Sequence, residues 1–225
     1  MLTVVFDFDG VLVDSYCCLR RVYEHLREKY VNKNHDVFVD TMLYLEGITD
    51  YLGIWSRKRI FKFIAEGFGI DYKLINDLVR EYWRVRTQLS LVNSDAHNVL
   101  GKIRGLGCEI YCVCGCDDTV HGKIERISYS GFQKYFKKII IYGFKSSFNT
   151  LREALLSIIN RGDTVVYVDD KPSNLNSIAD LRIIRVLCKF RPSLPVTFSW
   201  NEKVNCEAKV IENLNELITI LKALL

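Results

Sequence analysis

Leu2-Thr3-Val4-Val5-Phe6-Asp7-Phe8-Asp9-Gly10-Val11-Leu12-Val13-Asp14-Ser15 decides the reading of this chain. Leu2 to Phe6 is apolar except for Thr3, the pattern of a short strand buried on both faces. Two carboxylates, two residues apart, close the run, and a glycine follows at once. At the carboxyl end of a strand in an open parallel α/β sheet, Asp7 and Asp9 fall where such sheets place their ligand crevice. Burying one carboxylate there is costly, and two like charges cost more. A cation between them relieves that cost, and Mg2+ suits hard oxygen ligands.

The same pattern returns late in the chain. Val165-Val166-Tyr167-Val168 is apolar and ends in Asp169-Asp170, followed by Lys171-Pro172-Ser173-Asn174. Two acidic strand ends in one parallel sheet would converge on one metal crevice. The segment also reads as a helix start, with Pro172 or Ser173 opening the next helix.

Between these landmarks the rhythm of the sequence changes once. From Tyr16 to about Ser90 apolar residues recur at helical spacing: Leu19, Val22, Tyr23 and Leu26, then Ile60, Phe61 and Ile64, then Leu74, Leu78 and Trp83. After that, helices and strands alternate. Helices are predicted at 95–104, 119–127, 148–159, 173–181 and 214–225, and strands at 109–114, 138–142, 164–168, 183–187 and 209–211. Such alternation implies right-handed crossovers and a parallel sheet. The expected fold is α/β: a Rossmann-like parallel sheet core with helices on both faces, residues 1–14 and 91–225. An inserted all-helical cap domain, residues 15–90, sits over its crevice. Residues 191–207, with Pro192, Pro195 and Trp200, read as an ordered loop of no assigned role.

Composition narrows the function classes. The chain has 225 residues, 49% apolar and 26% charged, enough for a core that buries roughly 70% of the unfolded surface. A net charge of +4 without a long basic block does not imply nucleic-acid binding. No run reaches the ~18 apolar residues of a membrane span, so no membrane partner is expected and the reading is cytoplasmic. Of eight cysteines, Cys112, Cys114 and Cys116 alternate along one strand and read as small buried residues. Cys188 and Cys206 would be the pair for a disulfide if the source is a hyperthermophile. Arg57, Lys58 and Arg59 form a basic run in the insert that would face an anionic substrate or simply be solvated.

The first stretch resembles motif I of the haloacid dehalogenase-like (HAD) hydrolases, an apolar strand followed by Asp-x-Asp-Gly-x-Leu-x-Asp-Ser, here Asp7, Asp9, Gly10, Leu12, Asp14 and Ser15. The resemblance covers the whole chain in order: motif I, a helical cap of the C1 type directly after it, then motifs II to IV. Phosphoglycolate phosphatases and β-phosphoglucomutases are similar. The resemblance implies Asp7 as nucleophile, Asp9 as general acid/base, and Mg2+ held by Asp7, Asp170 and the backbone carbonyl of Asp9, with Asp169 and Asn174 as further ligands. It aligns the motif II Thr or Ser with Cys114, a departure, since a thiol donates more weakly than a hydroxyl; the backbone around Gly115 would then help hold the phosphoryl group. The motif III lysine falls at Lys145. The implied activity is hydrolysis of a small phosphorylated metabolite by a monomer or homodimer. A phosphomutase needs the same residues. A 2-haloacid dehalogenase needs neither Asp9 nor Asp169-Asp170, and a weakly active or non-catalytic phosphate-binding protein would follow from Cys114. The sequence does not name the substrate.

Overall fold

A computed structural model of the protein describes residues 1–225 other than 33, 34, 161 and 190–197, with all side chains of the rest but that of His35. Strands follow one another as β1 Leu2–Phe6, β2 Val13–Asp14, β3 Leu91–Val92, β4 Glu109–Gly115, β5 Lys138–Tyr142, β6 Thr164–Asp169, β7 Ile184–Cys188 and β8 Lys209–Ile211. The α-helices are α1 Leu19–Tyr30, α2 His35–Tyr51, α3 Arg57–Ile64, α4 Ile75–Leu89, α5 Ala96–Gly105, α6 Val120–Tyr129, α7 Leu151–Leu156, α8 Pro172–Ser177 and α9 Asn215–Lys222. The described residues group into two compact units, those within 1–14, 92–189 and 199–225 in one, and those within 15–91 with Phe198 in the other.

The first unit is built on a six-stranded sheet in the order β5-β4-β1-β6-β7-β8, with every pair parallel. Counted along the chain, that order is third, second, first, fourth, fifth, sixth, the arrangement of Rossmann-like sheets. The chain leaves β1 toward β4 on one side and returns to β6 on the other, so the strand order reverses between β1 and β6. Side chains alternate across the sheet. Val4, Phe6, Cys112, Cys114, Val166 and Val168 join the core formed with α5 and α9. Val5, Val113 and Tyr167 point to the opposite face, the side of α7 and α8, which pack on each other. Covered on both faces, β1 and β6 read as unbroken apolar runs, as parallel sheets require.

The second unit is helical. Helix α1 packs against α2 and α4, and α3 against α4. Its apolar spacing is realised in the burial of Leu19, Val22, Tyr23 and Leu26. The interior also holds a polar knot. Glu46 Oε1 accepts from Arg57 Nη2 at 2.8 Å, Arg86 Nη1 at 3.0 Å and the Tyr82 hydroxyl at 3.0 Å, while Oε2 accepts from the Tyr23 hydroxyl at 2.7 Å. Arg86 continues to Ser15, through Nε to the carbonyl and Nη2 to Oγ, both at 3.1 Å. Arg57, the first residue of the basic run, is therefore committed inside its own unit, whereas Lys58 and Arg59 are exposed. Breaking such a buried pair by removing one partner costs about 3–5 kcal/mol.

Several boundaries differ from the sequence expectation for local reasons. The helix expected at 148–159 begins at Leu151, because Phe148 bridges to Tyr142 beside β5. Thr150 then caps the helix by accepting from the Glu153 N–H at 3.2 Å, and Glu153 accepts from the Asn149 N–H at 2.7 Å. Cys188 and Cys206 do not form the conditional disulfide; both are free thiols, and Cys206 Sγ donates to the Leu175 carbonyl at 3.5 Å. Pro192 and Pro195 lie outside the described residues, but Phe198–Trp200 forms a 3-10 turn within the stretch that had no assigned role. No helix among the described residues is long and apolar enough to cross a membrane.

Candidate active site

The register between β1 and β6 sets Phe6 opposite Val168, and the Asp7 N–H donates to the Val168 carbonyl at 2.9 Å. The next residues on each strand, Asp7 and Asp169-Asp170, therefore meet at the carboxyl edge of the sheet, where the strand order reverses. All three carboxylates are buried, and one oxygen from each lies within 4.8 Å of the others. Burial first, then the charges of Asp169, Asp170 and Cys114, push the Asp7 carboxyl well above its ordinary range, with Lys123 opposing. Burial also raises Asp169, against the hydrogen bonds it accepts. A buried group of like charges built from hard oxygens fits a divalent cation such as Mg2+, which would remove both penalties at once.

The two acids of β6 differ in surroundings. Asp169 is held by the Tyr167 hydroxyl, the Lys171 N–H at 2.8 Å and Asn174 Nδ2 at 2.9 Å. Asn174 thus orients Asp169. Asp170 Oδ2 accepts from Trp200 Nε1 at 2.6 Å. The loop after β1 closes tightly: the Gly10 N–H donates to the Val13 carbonyl at 2.8 Å, and Gly10 takes φ +84°.

Asp9 sits in an ion network that the sequence did not announce. Arg126 Nη2 reaches its Oδ1 at 2.5 Å, and Lys123 Nζ reaches its Oδ2 at 2.5 Å. Both cations also hold Asp117, Lys123 at 3.2 Å and Arg126 at 2.9 Å. Lys123 and Arg126 are one turn apart on α6, and both are 4% exposed. Burial alone would lower the Lys123 ammonium; the carboxylates of Asp117 and Asp9 outweigh it and hold it above its ordinary value. The available signal was a pair of charges set among the apolar residues Val120, Ile124 and Ile127 of one helix.

Cys114 lies near the end of β4, 1% exposed, on the sheet face that carries Phe6. Burial and the neighbouring Cys112 raise its thiol well above the usual value, so it stays a neutral thiol, and its Sγ accepts from Cys112 Sγ at 3.9 Å. Gly115 ends β4 beside Tyr142 of β5. Lys145 occupies the loop after β5 with a left-handed φ of +63°, unique among the described non-glycine residues. Ser146 Oγ closes that loop on the carbonyls of Gly143 and Phe148 at 2.7 and 2.6 Å. The Lys145 side chain is exposed, its ammonium over the Phe144 ring. The structure thus brings together Asp7, Asp169 and Asp170, ties Asp9 to α6, and leaves Lys145 facing solvent.

Solved structures share this architecture along nearly the whole chain. A Thermotoga maritima protein described as a β-phosphoglucomutase has a TM-score of 0.69 at 18% identity and covers 100% of both chains. The HAD phosphatase from Thermococcus onnurineus has a TM-score of 0.64 at 19% identity over 98% of each chain. YfnB from Bacillus subtilis, described as a HAD-hydrolase and bound to magnesium, has a TM-score of 0.67 at 16% identity over 98% of each chain. No family model and no curated protein matches the sequence. The protein has the haloacid dehalogenase-like hydrolase fold, of the kind found in β-phosphoglucomutases and phosphatases, with an acidic cluster at the reversal point of its sheet.

Proposed function

We propose that this protein is a Mg2+-dependent phosphatase that hydrolyses a small phosphomonoester through an aspartyl-phosphate on Asp7. The observation that carries the reading is the convergence of Asp7, Asp169 and Asp170 from the ends of two adjacent parallel strands. Mg2+ held by Asp7 and Asp170, with the Asp9 carbonyl, Asp169 and Asn174 as further candidates, would offset the charge gathering on the phosphoryl oxygens. A carboxylate oxygen of Asp7 attacks phosphorus, an O–P bond forms while the ester O–P bond breaks, and the leaving oxygen takes a proton from Asp9. Water then attacks the same phosphorus, Asp9 takes its proton, and the bond to Asp7 breaks to release phosphate. Asp9 gives up its proton in the first step and regains one from water in the second, so each turnover returns it to its starting state.

Cys114 and the backbone of Gly115 would donate to phosphoryl oxygens, and Lys145 would have to turn inward to join them. The helical unit is expected to act as a cap that excludes water and selects the substrate. The partner is a small phosphorylated metabolite, the protein a cytoplasmic monomer or homodimer. A phosphomutase is the second reading, favoured by the description of the Thermotoga maritima neighbour. Asp9 and the Asp169-Asp170 pair speak against a dehalogenase. Phosphate release from a panel of sugar phosphates, nucleotides, phosphoglycolate and p-nitrophenyl phosphate, with Mg2+ and with EDTA, tests the proposal. Turnover with Mg2+ alone supports it. Turnover only after a bisphosphate is added supports the mutase, and halide release from 2-haloacids without metal would contradict both.

A further inference from the structure

The phosphatase reading requires a cation for the phosphoryl oxygens beside the metal, since the incoming dianion meets three carboxylates. Lys145 is exposed at the tip of a loop fixed by Ser146. Lys123 is buried and bonded to Asp9, and its ammonium lies 5.7 Å from the centre of the ring of Phe8, the residue between Asp7 and Asp9. We infer that Lys123, delivered by helix α6, is the residue that holds the phosphoryl group, and that Asp9 and Asp117 keep its place until substrate arrives. This inference rests on the phosphatase reading of the same site.

The division of labour follows from the chemistry of the two cations. Arg126 grips both oxygens of Asp9 with its planar fork, Nη2 to Oδ1 at 2.5 Å and Nη1 to Oδ2 at 3.2 Å, and holds Asp117 as well. A guanidinium fixed in this way is a scaffold. An ammonium on a four-carbon stem is a mobile point charge with three donors that can be redirected. When Lys123 turns to a phosphoryl oxygen, neither Asp9 nor Asp117 is stranded, because Arg126 stays on both. A carboxylate pair sharing two cations can thus release one at limited cost, whereas a single buried pair cannot.

The probe is inorganic phosphate, titrated by calorimetry into the full chain with Mg2+, alongside kinetics on p-nitrophenyl phosphate. Lys123→Met should weaken phosphate binding at least tenfold and raise KM, and Lys123→Arg should restore much of the affinity. A structural role alone would lower the melting temperature without this recovery. If Met is not tolerated between Asp9 and Asp117, Lys123→Gln, whose amide still donates to Asp117, carries the same test. Phosphate affinity within threefold of wild type in Lys123→Gln or Lys123→Met, with the loss appearing in Lys145→Met instead, would overturn the inference while leaving the phosphatase reading intact. Phosphate bound through Lys123 by a protein that hydrolyses no phosphomonoester would do the reverse.

Discussion

A Cβ built on Gly10 lies 2.0 Å from Oδ2 of Asp170. No side chain fits there, and the φ of +84° would strain any L-residue by about 1–2 kcal/mol before the clash. The glycine of motif I is therefore the space that lets the loop after β1 close over the second acid of β6. Gly10→Ala should lower stability and raise the Mg2+ concentration needed for half-saturation by at least tenfold, by displacing the Asp170 carboxylate. Trp200 donates to that same oxygen, so its emission should report the titration, and Trp200→Phe should remove the signal. Unaltered Mg2+ affinity in Gly10→Ala would mean that Asp170 is not a ligand.

The raised carboxyls give a pH signature. In the metal-free fold Asp7 and Asp169 sit above their ordinary pKa, which is about 3.9 in an unfolded chain. The fold then prefers them protonated. The stability they lend is complete below the unfolded pKa and is lost as pH rises through the folded values. Carboxylates with lowered pKa, such as Glu81 beside Arg84, act with the opposite sign, and their loss falls below about pH 4. Metal-free protein should therefore melt lower at about pH 7 than at about pH 5. Mg2+ should flatten that slope, because it favours the ionised carboxylates. A slope that Mg2+ leaves unchanged would count against the acidic cluster as the metal site.

Much of this was legible because the informative residues are local. Asp7 and Asp169-Asp170 follow apolar runs that form adjacent parallel strands, and so their carboxylates meet. The helical spacing of Leu19, Val22, Tyr23 and Leu26 likewise needs no tertiary knowledge. What escaped depends on distant packing. Lys123 and Arg126 meet Asp9 only because α6 packs on the sheet beside β5. Trp200 reaches Asp170 from a stretch with no periodicity. Lys145 lies in the loop after β5 with an exposed side chain, a local outcome that the spacing of the motif does not encode. Arg57 read as facing an anionic substrate or as solvated, whereas it is buried against Glu46 of another helix.

Cys114 tests how the site manages without a hydroxyl. It is a buried, neutral thiol near the end of β4, and one preorganised donor to a developing oxyanion is worth about 3–4 kcal/mol. Cys114→Thr should keep the fold and raise kcat/KM, and Cys114→Val should lower it slightly. If Cys114 only packs, Val is silent and Thr destabilises by burying an unpaired hydroxyl. Thermal melts with kinetics separate the two cases, and a Thr variant that is less stable and no faster would refute the assignment.

The central claim is that Asp7 is the nucleophile toward phosphorus. Its most direct test is the hydrolysis of p-nitrophenyl phosphate by wild type and Asp7→Asn under saturating Mg2+. An amide is neither a competent nucleophile nor a charged ligand, so turnover should fall to background while the circular dichroism spectrum stays that of the wild type. Activity in Asp7→Asn within tenfold of wild type would contradict the account.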